Sequence, residues 1–542
     1  MYSHRILALV ALVPFSSLVG GAAAQTVVED QRLTEPTLLD GDEFGAAVDT
    51  SQGRSAVGAP KHDGSGSQSG AVFLYTPSGP GWVLEDLIQS TDIASNDLFG
   101  TAVDLDGDRL VVGAPRRDVS FFDEGAAYEF VRQGDGSWSQ TDRFSALDGS
   151  TGDQFGAAIA MDGDLAVVGA PGDDPSGVGS AGSAYLFERQ ASGDWLQIRK
   201  ILSPAPGANR RFGRLVDIQG DRLVIGQDAP SSAQAGIERI FVYHINGDRL
   251  ALEGIIGSPD PLAPGAQYFG SDLDLDGDRL IVGDPATTAG GRAFIYERGD
   301  GSWPLADTIV AVPEVSQTRV GDTVALHGDT AILGGPGTSS IEGRAVLYLE
   351  SPSLGGWRLL ANIEPDERTG LPPDQYASCV DLDDDTILIG APRFSDLGAE
   401  TGSAFALRRG MLLHGRTHLG ISGGAQQDFL LLGGSDLAFK FHWIVGSASG
   451  TDPGVLLAPG LLVPLNVDSY GLSTVYSPGK PPLVGSVGLL DQDGVSVRSF
   501  VVPFGLAASL AGLTLHHAYL VYDPFTLVFE DVSNAVPLTL VP

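Results

Sequence analysis

Cysteine is nearly absent: Cys379 stands alone among 542 residues. No disulfide can form within the chain, so stability must come from packing. Cations are scarce as well. The 32 Lys and Arg face 68 Asp and Glu, a formal charge of −36, and such a surface repels phosphate backbones, which argues against nucleic-acid binding. No H-E-x-x-H, P-loop or Cys/His zinc spacing occurs. Long apolar runs are missing too. Ile6–Val19 is short of the about 20 residues that span a bilayer, and Phe500–Leu515 is interrupted by Pro503, Gly505 and Gly512, as befits buried strand and loop.

What is present points to a folded, strand-rich chain. Apolar residues make 43% of it, enough for real cores, and 73 glycines with 33 prolines supply turns. At about 150 residues per domain, the length suggests three or four domains. The first residues stand apart. Met1–Arg5 carry the early positive charge, Ile6–Val19 are apolar, and Ala22-Ala23-Ala24 precede Gln25. This is the order of a secretory signal peptide, residues 1–24, and it predicts a secreted or cell-surface protein with no transmembrane segment once the leader is removed.

Internal repetition decides the architecture. Phe99-Gly100 is followed fourteen residues later by Gly113-Ala114-Pro115, and the same interval separates Phe44-Gly45 from Gly58-Ala59-Pro60 and Phe155-Gly156 from Gly169-Ala170-Pro171. It persists in altered form from Phe212, Phe269, Val320 and Tyr376, giving seven copies that begin 51 to 57 residues apart. Each copy reads as four strands. In the second, Gly100–Leu105 and Arg109–Gly113 flank an Asp106-Gly107 turn, Ala126–Val131 alternates, and a fourth run starts at Trp138, a position held elsewhere by Trp82, Trp195, Trp303 and Trp357. Seven such units predict a seven-bladed β-propeller over residues 25–410, with solenoid stacking as the alternative. Ring closure leaves a trace: copy seven lacks its fourth strand, while Val27-Val28-Glu29-Asp30 resembles Val83-Leu84-Glu85-Asp86. The N-terminal segment is expected to complete the last blade and remove an open sheet edge.

The pairing of Phe-Gly with Gly-Ala-Pro resembles the FG-GAP repeat of integrin α-subunit propellers and of many secreted bacterial proteins, over about Gln25–Gly410. The resemblance implies the propeller fold; function does not follow from it, since propellers host adhesion, carbohydrate binding and enzymes. Many members of that family hold calcium in the hairpin between the first two strands. Here the corresponding stretches, Asp104–Asp108 and Asp274–Asp278, are too tight to supply six to eight oxygens, so calcium is disfavoured and no cofactor or metal ligand set is expected. The positions of Asp104 and Arg109 are filled together in four copies (Asp49/Arg54, Asp104/Arg109, Asp217/Arg222, Asp274/Arg279) and vacated together in two (Ala160/Leu165, Ala325/Thr330); only Asp381/Thr386 breaks the rule. A cross-strand ion pair between them accounts for that pattern.

On the opposite face, the loops after Gly-Ala-Pro and before Phe-Gly are mostly acidic. One sector differs: Lys61 and His62 in blade one, Arg116, Arg117, Phe121 and Phe122 in blade two, and Arg393 and Phe394 in blade seven. These blades adjoin once the ring closes, and arginine and aromatic side chains are frequent interface anchors. They are the candidate binding residues for an acidic glycan or an extended peptide; packing over their own loops is the alternative. Arg210, Arg211 and Arg214 in blade four read as local charge balance.

From about Met411 the repeat stops. Only nine acids occur in residues 411–542, and strand-like runs at Asp428–Leu432, Lys440–Val445, Leu461–Val467, Val495–Val502, Leu513–Val521 and Val536–Val541 suggest a β-sandwich. Its ending resembles a C-terminal module of large secreted proteins of planctomycete-type bacteria. His516-His517 point to opposite faces of a strand and make no metal site. Gly420-Ile421-Ser422-Gly423-Gly424 matches a nucleophile elbow, and Gly177, Gly179 and Gly182 a dinucleotide fingerprint, but neither has the helix that its chemistry needs. The chain is therefore expected to be all-β, a seven-bladed FG-GAP propeller followed by a sandwich. It is read as a non-catalytic binding or adhesion protein for an extracellular glycan or protein. The alternatives are a polysaccharide-active enzyme with acids drawn from separate blades and a structural surface protein. Nothing in the sequence specifies an oligomeric state.

Overall fold

A computed structural model describes residues 25–542 except 28–30, 79–80, 229–238, 248, 261–267, 286–290, 312–318, 338–342, 352–354, 364–374, 385, 395–400, 409–411, 415–417, 421–424, 433–436, 438, 450–454, 459–460, 464–482, 485–486, 503–512, 523–528, 533–535 and 542. The expected leader and most of the nucleophile-elbow match lie outside these residues. Two compact units emerge, one of residues 29–359 with 367–408, the other of residues 409–542 with 360–366 and the residues up to 28.

The first unit is a ring of four-stranded antiparallel sheets. Blade two shows the plan: Val103–Asp106, Arg109–Ala114, Ala126–Arg132 and Trp138–Phe144, paired in that order. The first strands are Ala47–Ser51, Val103–Asp106, Ala158–Asp162, Leu215–Gln219, Leu273–Asp276, Thr323–His327 and Cys379–Leu382. Each touches the next, and the seventh touches the first, so the ring is closed. Second strands such as Arg109–Ala114 are covered on both faces by neighbouring blades, and so read as unbroken apolar runs. Outer strands such as Trp138–Phe144 are buried mainly at their ends. The cores lie between blades: Val72, Leu74 and Ile88 of blade one share a cluster with Leu110, Val112 and Tyr128 of blade two, each such side chain contributing about 1.5–3 kcal/mol.

The repeated corner follows from close approach. Phe99 is fully buried, and Gly100 N–H donates to the carbonyl of Gly113 at 3.0 Å with φ +92°, where glycine is favoured. Gly113 is required for space: a Cβ there would lie 2.0 Å from the Gly156 carbonyl of the next blade.

Closure occurs one residue later than the sequence comparison predicts. Gln31–Leu33 pairs antiparallel with Ala404–Ala406 as the outer strand of blade seven. Residues 25–27 pair instead, in parallel, with Ala361–Ile363 at the end of the outer strand of blade six. The reason is visible in a link between outer strands. Trp138 N–H donates to Asp86 at 3.3 Å, Trp195 N–H to Asp142 at 2.7 Å, and Trp82 N–H to Gln31 Oε1 at 2.6 Å. Gln31, not Asp30, thus occupies the place of Asp86.

The second unit holds two principal sheets. One contains Leu412–His414, Ala425–Leu432, Val495–Val502 and Leu483–Val484; the other contains His418–Gly420, Val536–Val541, Thr514–Tyr522, Phe441–Ser447 and Val487–Leu489. Phe429, Leu431 and Phe500 of the first share one core with Ile444, Tyr519, Val521 and Leu538 of the second, the packing of a β-sandwich. His517 is fully buried and His516 half-buried, on alternate faces.

Candidate functional site

The axis of the ring is lined by carboxylates. Asp49, Asp104, Asp217 and Asp274 of the first strands line a cavity of about 200 Å³, together with Asp106 and Asp162. This corrects the expected Asp104–Arg109 ion pair. The hairpin loop is Gly107-Asp108, so Asp106 stands opposite Arg109 and Asp104 opposite Val111. The ion pair is Asp106–Arg109, at 3.0 Å, and Asp276–Arg279 repeats it at 2.9 Å.

The axial acids join blades instead. Each accepts the main-chain N–H of the residue after its counterpart in the next blade: Asp381 from Thr50 at 2.6 Å, Asp49 from Leu105, Asp104 from Met161, Asp217 from Leu275 at 2.6 Å and Asp274 from Leu326 at 2.5 Å. Blades three and six carry Ala160 and Ala325 there. After those gaps, Asp217 and Asp381 accept the N–H of their own following residues, Ile218 and Leu382. Nearer the hairpins runs a second series. Gly107, Gly163 and Gly328 N–H donate to Ser51, Asp106 and Asp276 at 3.2, 3.2 and 2.9 Å; Gly220, Gly277 and Gly53 donate to Asp162, Gln219 and Asp383. Between blades six and seven, His327 meets Asp384 at 2.9 Å.

Enclosure raises these acids. Burial, opposed by bonds from Leu275 and Ile218, lifts Asp217 to about 7; burial lifts Asp381 to about 6 and pushes Asp49, Asp104 and Asp274 well above the usual carboxylate range, with neighbouring carboxylates adding to the shift. Cys379, also at the seam, donates its thiol to the Gly45 carbonyl at 3.1 Å, and burial raises it to about 12.

At the other end of the ring, the eight candidate binding residues separate into two sets. Lys61 pairs with Glu43 at 2.7 Å. His62 is buried, with Nδ1 2.8 Å from Asp42 and its ring edge-on to Phe73. Arg117 lies 3.5 Å from Asp97 and 3.9 Å from Asp92, and Phe394 is fully buried against Phe405 beneath the Arg32 guanidinium. These four hold their own corners, Lys61, His62 and Arg117 by satisfying acids that precede Phe-Gly and Phe394 by packing. The remaining four face solvent: Arg116 and Arg393 are exposed without an ion pair among the described residues, and Phe121 and Phe122 are 51% and 66% exposed. Sequence spacing could not separate the sets, because partners such as Asp42 and Asp97 come from other loops. In blade four, Arg211 and Arg214 both bind Asp228.

The family model for the FG-GAP repeat matches residues 27–75, 82–130 and 138–187. These three stretches of the ring are similar to the FG-GAP repeat. Each matched stretch of the FG-GAP repeat from residue 82 onward begins in the outer strand of one blade and ends in the third strand of the next, so repeat and blade are out of phase by one strand. No curated protein matches the chain. Solved structures similar in fold include the β-propeller domain of the Trilobed protease from Pyrococcus furiosus (11% identity, 68% of this chain, 93% of that one, TM-score 0.36). The Mitotic Checkpoint Complex (11%, 73% and 99%, 0.43) and a putative 6-phosphogluconolactonase from Bacteroides uniformis (12%, 61% and 90%, 0.35) are similar at the same level.

Among the described residues no group of three or more His, Cys, Asp or Glu is arranged to hold a metal ion, and no helix is long and apolar enough to cross a membrane. Gly177, Gly179 and Gly182 lie in a blade-three loop whose only helical turn is Pro175–Gly177, and Gly420 ends a strand that is followed by the strand Ala425–Leu432.

Proposed function

We propose that this chain is a secreted or cell-surface, non-catalytic binding protein whose propeller recognises an extracellular glycan or protein through the loops of blades seven, one and two. The observation that carries the reading is the exposure of Arg116, Arg393, Phe121 and Phe122 on loops of one rank. Large apolar side chains in solvent, on the same loop as a cation without a carboxylate partner among the described residues, leave interaction energy unused in the free protein. On a chain of charge −36 these cations also offer an acidic ligand a place of attraction within a repulsive field. The leader-like residues 1–24 and the resemblance of the C-terminal module to those of secreted planctomycete-type proteins support an extracellular setting. The axial acids offer less to an enzyme reading, since the main-chain N–H of the next blade already occupies them.

Glycan and peptide arrays probed with the full chain, with and without calcium, test the proposal. An array ligand is expected whose affinity falls at least about tenfold in Arg116→Glu and Arg393→Glu, the scale of one lost interface anchor. Unchanged binding in both variants removes the assignment. Ligand cleavage in product analysis would favour the enzyme, and neither binding nor turnover a structural protein.

A further inference from the structure

The C-terminal unit sets an arginine and a histidine together between its two sheets. Arg498 lies on Val495–Val502, two residues before the core residue Phe500, and His442 on Phe441–Ser447, two residues before the core residue Ile444. Side chains alternate along a strand, so both stand on inner faces. Arg498 Nε donates to His442 Nε2 at 3.0 Å, and Arg498 Nη1 donates to the Val497 carbonyl at 2.7 Å. His442 is completely buried. Gly488, its partner on the adjoining strand, leaves the room: a Cβ there would overlap the guanidinium and crowd the imidazole.

This bond fixes the state of the imidazole. A guanidinium only donates, so Nε2 of His442 carries no proton and the ring is neutral. An imidazolium would lose the bond and stand as a second cation beside the first, away from water. The described neighbours offer Arg498 no relief. No carboxylate among them forms an ion pair with it, and its burial favours the uncharged form. On Thr514–Tyr522, His517 packs between Phe429 and Phe500, Tyr519 lies in the core, and Tyr522 stacks on Phe441. Asp491 accepts the N–H groups of Asp493 and Val495 at 3.0 and 2.9 Å, within the hairpin that also holds the buried Asp493. Lys440 stands two residues before His442. Asp428 lies opposite Ser499 in register, and Asp531 opposite Val521, one strand beyond His442. We propose that the Arg498–His442 bond is an acid-released clasp between the two sheets, closed at neutral pH and opened when His442 takes a proton.

The direction follows from linkage. An unfolded histidine titrates near about 6.5. The native sandwich resists the same proton, because accepting it breaks the bond. Stability from the clasp is therefore fully present above that pH and is lost as pH falls below it, by about tenfold in the opening equilibrium per pH unit. His516 acts in the same direction, since half-burial lowers its pKa, and the two histidines are separated by substitution.

Hydrogen exchange of the full chain at about pH 7.5, 6.5 and 5.0, corrected for intrinsic rates, reads the clasp at Phe441–Ser447 and Val495–Val502. Wild type is expected to lose at least about tenfold in protection of these strands between the upper and lower pH. A glutamine at position 442 accepts from Arg498 without titrating, so His442→Gln should keep its protection in acid, while His516→Gln should still lose it. The same pH dependence in wild type and His442→Gln would overturn the proposal. Should His442→Gln fail to fold, Arg498→Gln takes its place: with the cation gone the acid effect should shrink, and an undiminished effect overturns the clasp. Wild-type protection that holds to about pH 5 overturns it in either case.

Discussion

Gly113 shows what one hydrogen atom in place of a methyl does for this ring. Its Cα passes so near the next blade that a Cβ would stand 2.0 Å from a main-chain oxygen, and a main-chain oxygen cannot rotate away. Gly113→Ala is therefore expected to cost about 3 kcal/mol, the upper range for overpacking. Gly134→Ala, with nothing within 4 Å of the new Cβ, should stay within about 0.5 kcal/mol; urea unfolding of the two variants checks the contrast. The seventh copy tolerates a departure at the neighbouring corner, where Ala377 adopts φ +60° in place of glycine. These residues were legible because the constraint is local and recurs seven times. His62 and Phe394 were not: both satisfy the chemical pattern of a binding residue, and their burial depends on Asp42, Phe73 and Phe405, which belong to other loops and strands and meet them only in the folded ring.

Strands of adjacent blades are joined by side chain to main chain as well as by apolar packing, and ion pairs add to this toward the rim. Glu129 is completely buried and binds Arg189 of blade three at 2.7 Å while accepting from Thr141; Glu85 joins Arg132 and Arg54 in the same manner. Arg189 keeps partial access to water, so loss of its partner should cost less than the about 3–5 kcal/mol of a fully buried pair. Glu129→Ala is expected to lower stability by about 2–3 kcal/mol, with faster hydrogen exchange on the facing strands of blades two and three. Slow exchange in that variant would assign the buried carboxylate no net role. At this scale, misplacing the hairpin by one residue turned an axial acid into an ion-pair partner. Moving a two-residue loop by one residue shifts the pairing by two, so Arg109 stands opposite Asp106 instead of Asp104, and composition alone does not reveal whether Gly107-Asp108 or Asp106-Gly107 forms the loop.

For the whole ring, closure rests on Gln31–Leu33. Leu33 is 1% exposed and packs with Phe44, Phe73 and Leu388, so Leu33→Ala should cost about 2–3 kcal/mol. Exchange should rise first in Ser403–Arg408, the strand that it covers; a loss spread evenly over all blades would count against a distinct seam. Fold class and the repeated glycine corners were determined by the sequence alone, because such corners and apolar periodicity act over a few residues. The tertiary structure decided the rest. It turned five aspartates from separate copies toward one axis and divided eight similar loop residues into four that hold corners and four that face water. Burial and charge at each of these places arise from the sum of distant neighbours, and only the closed ring brings those neighbours together.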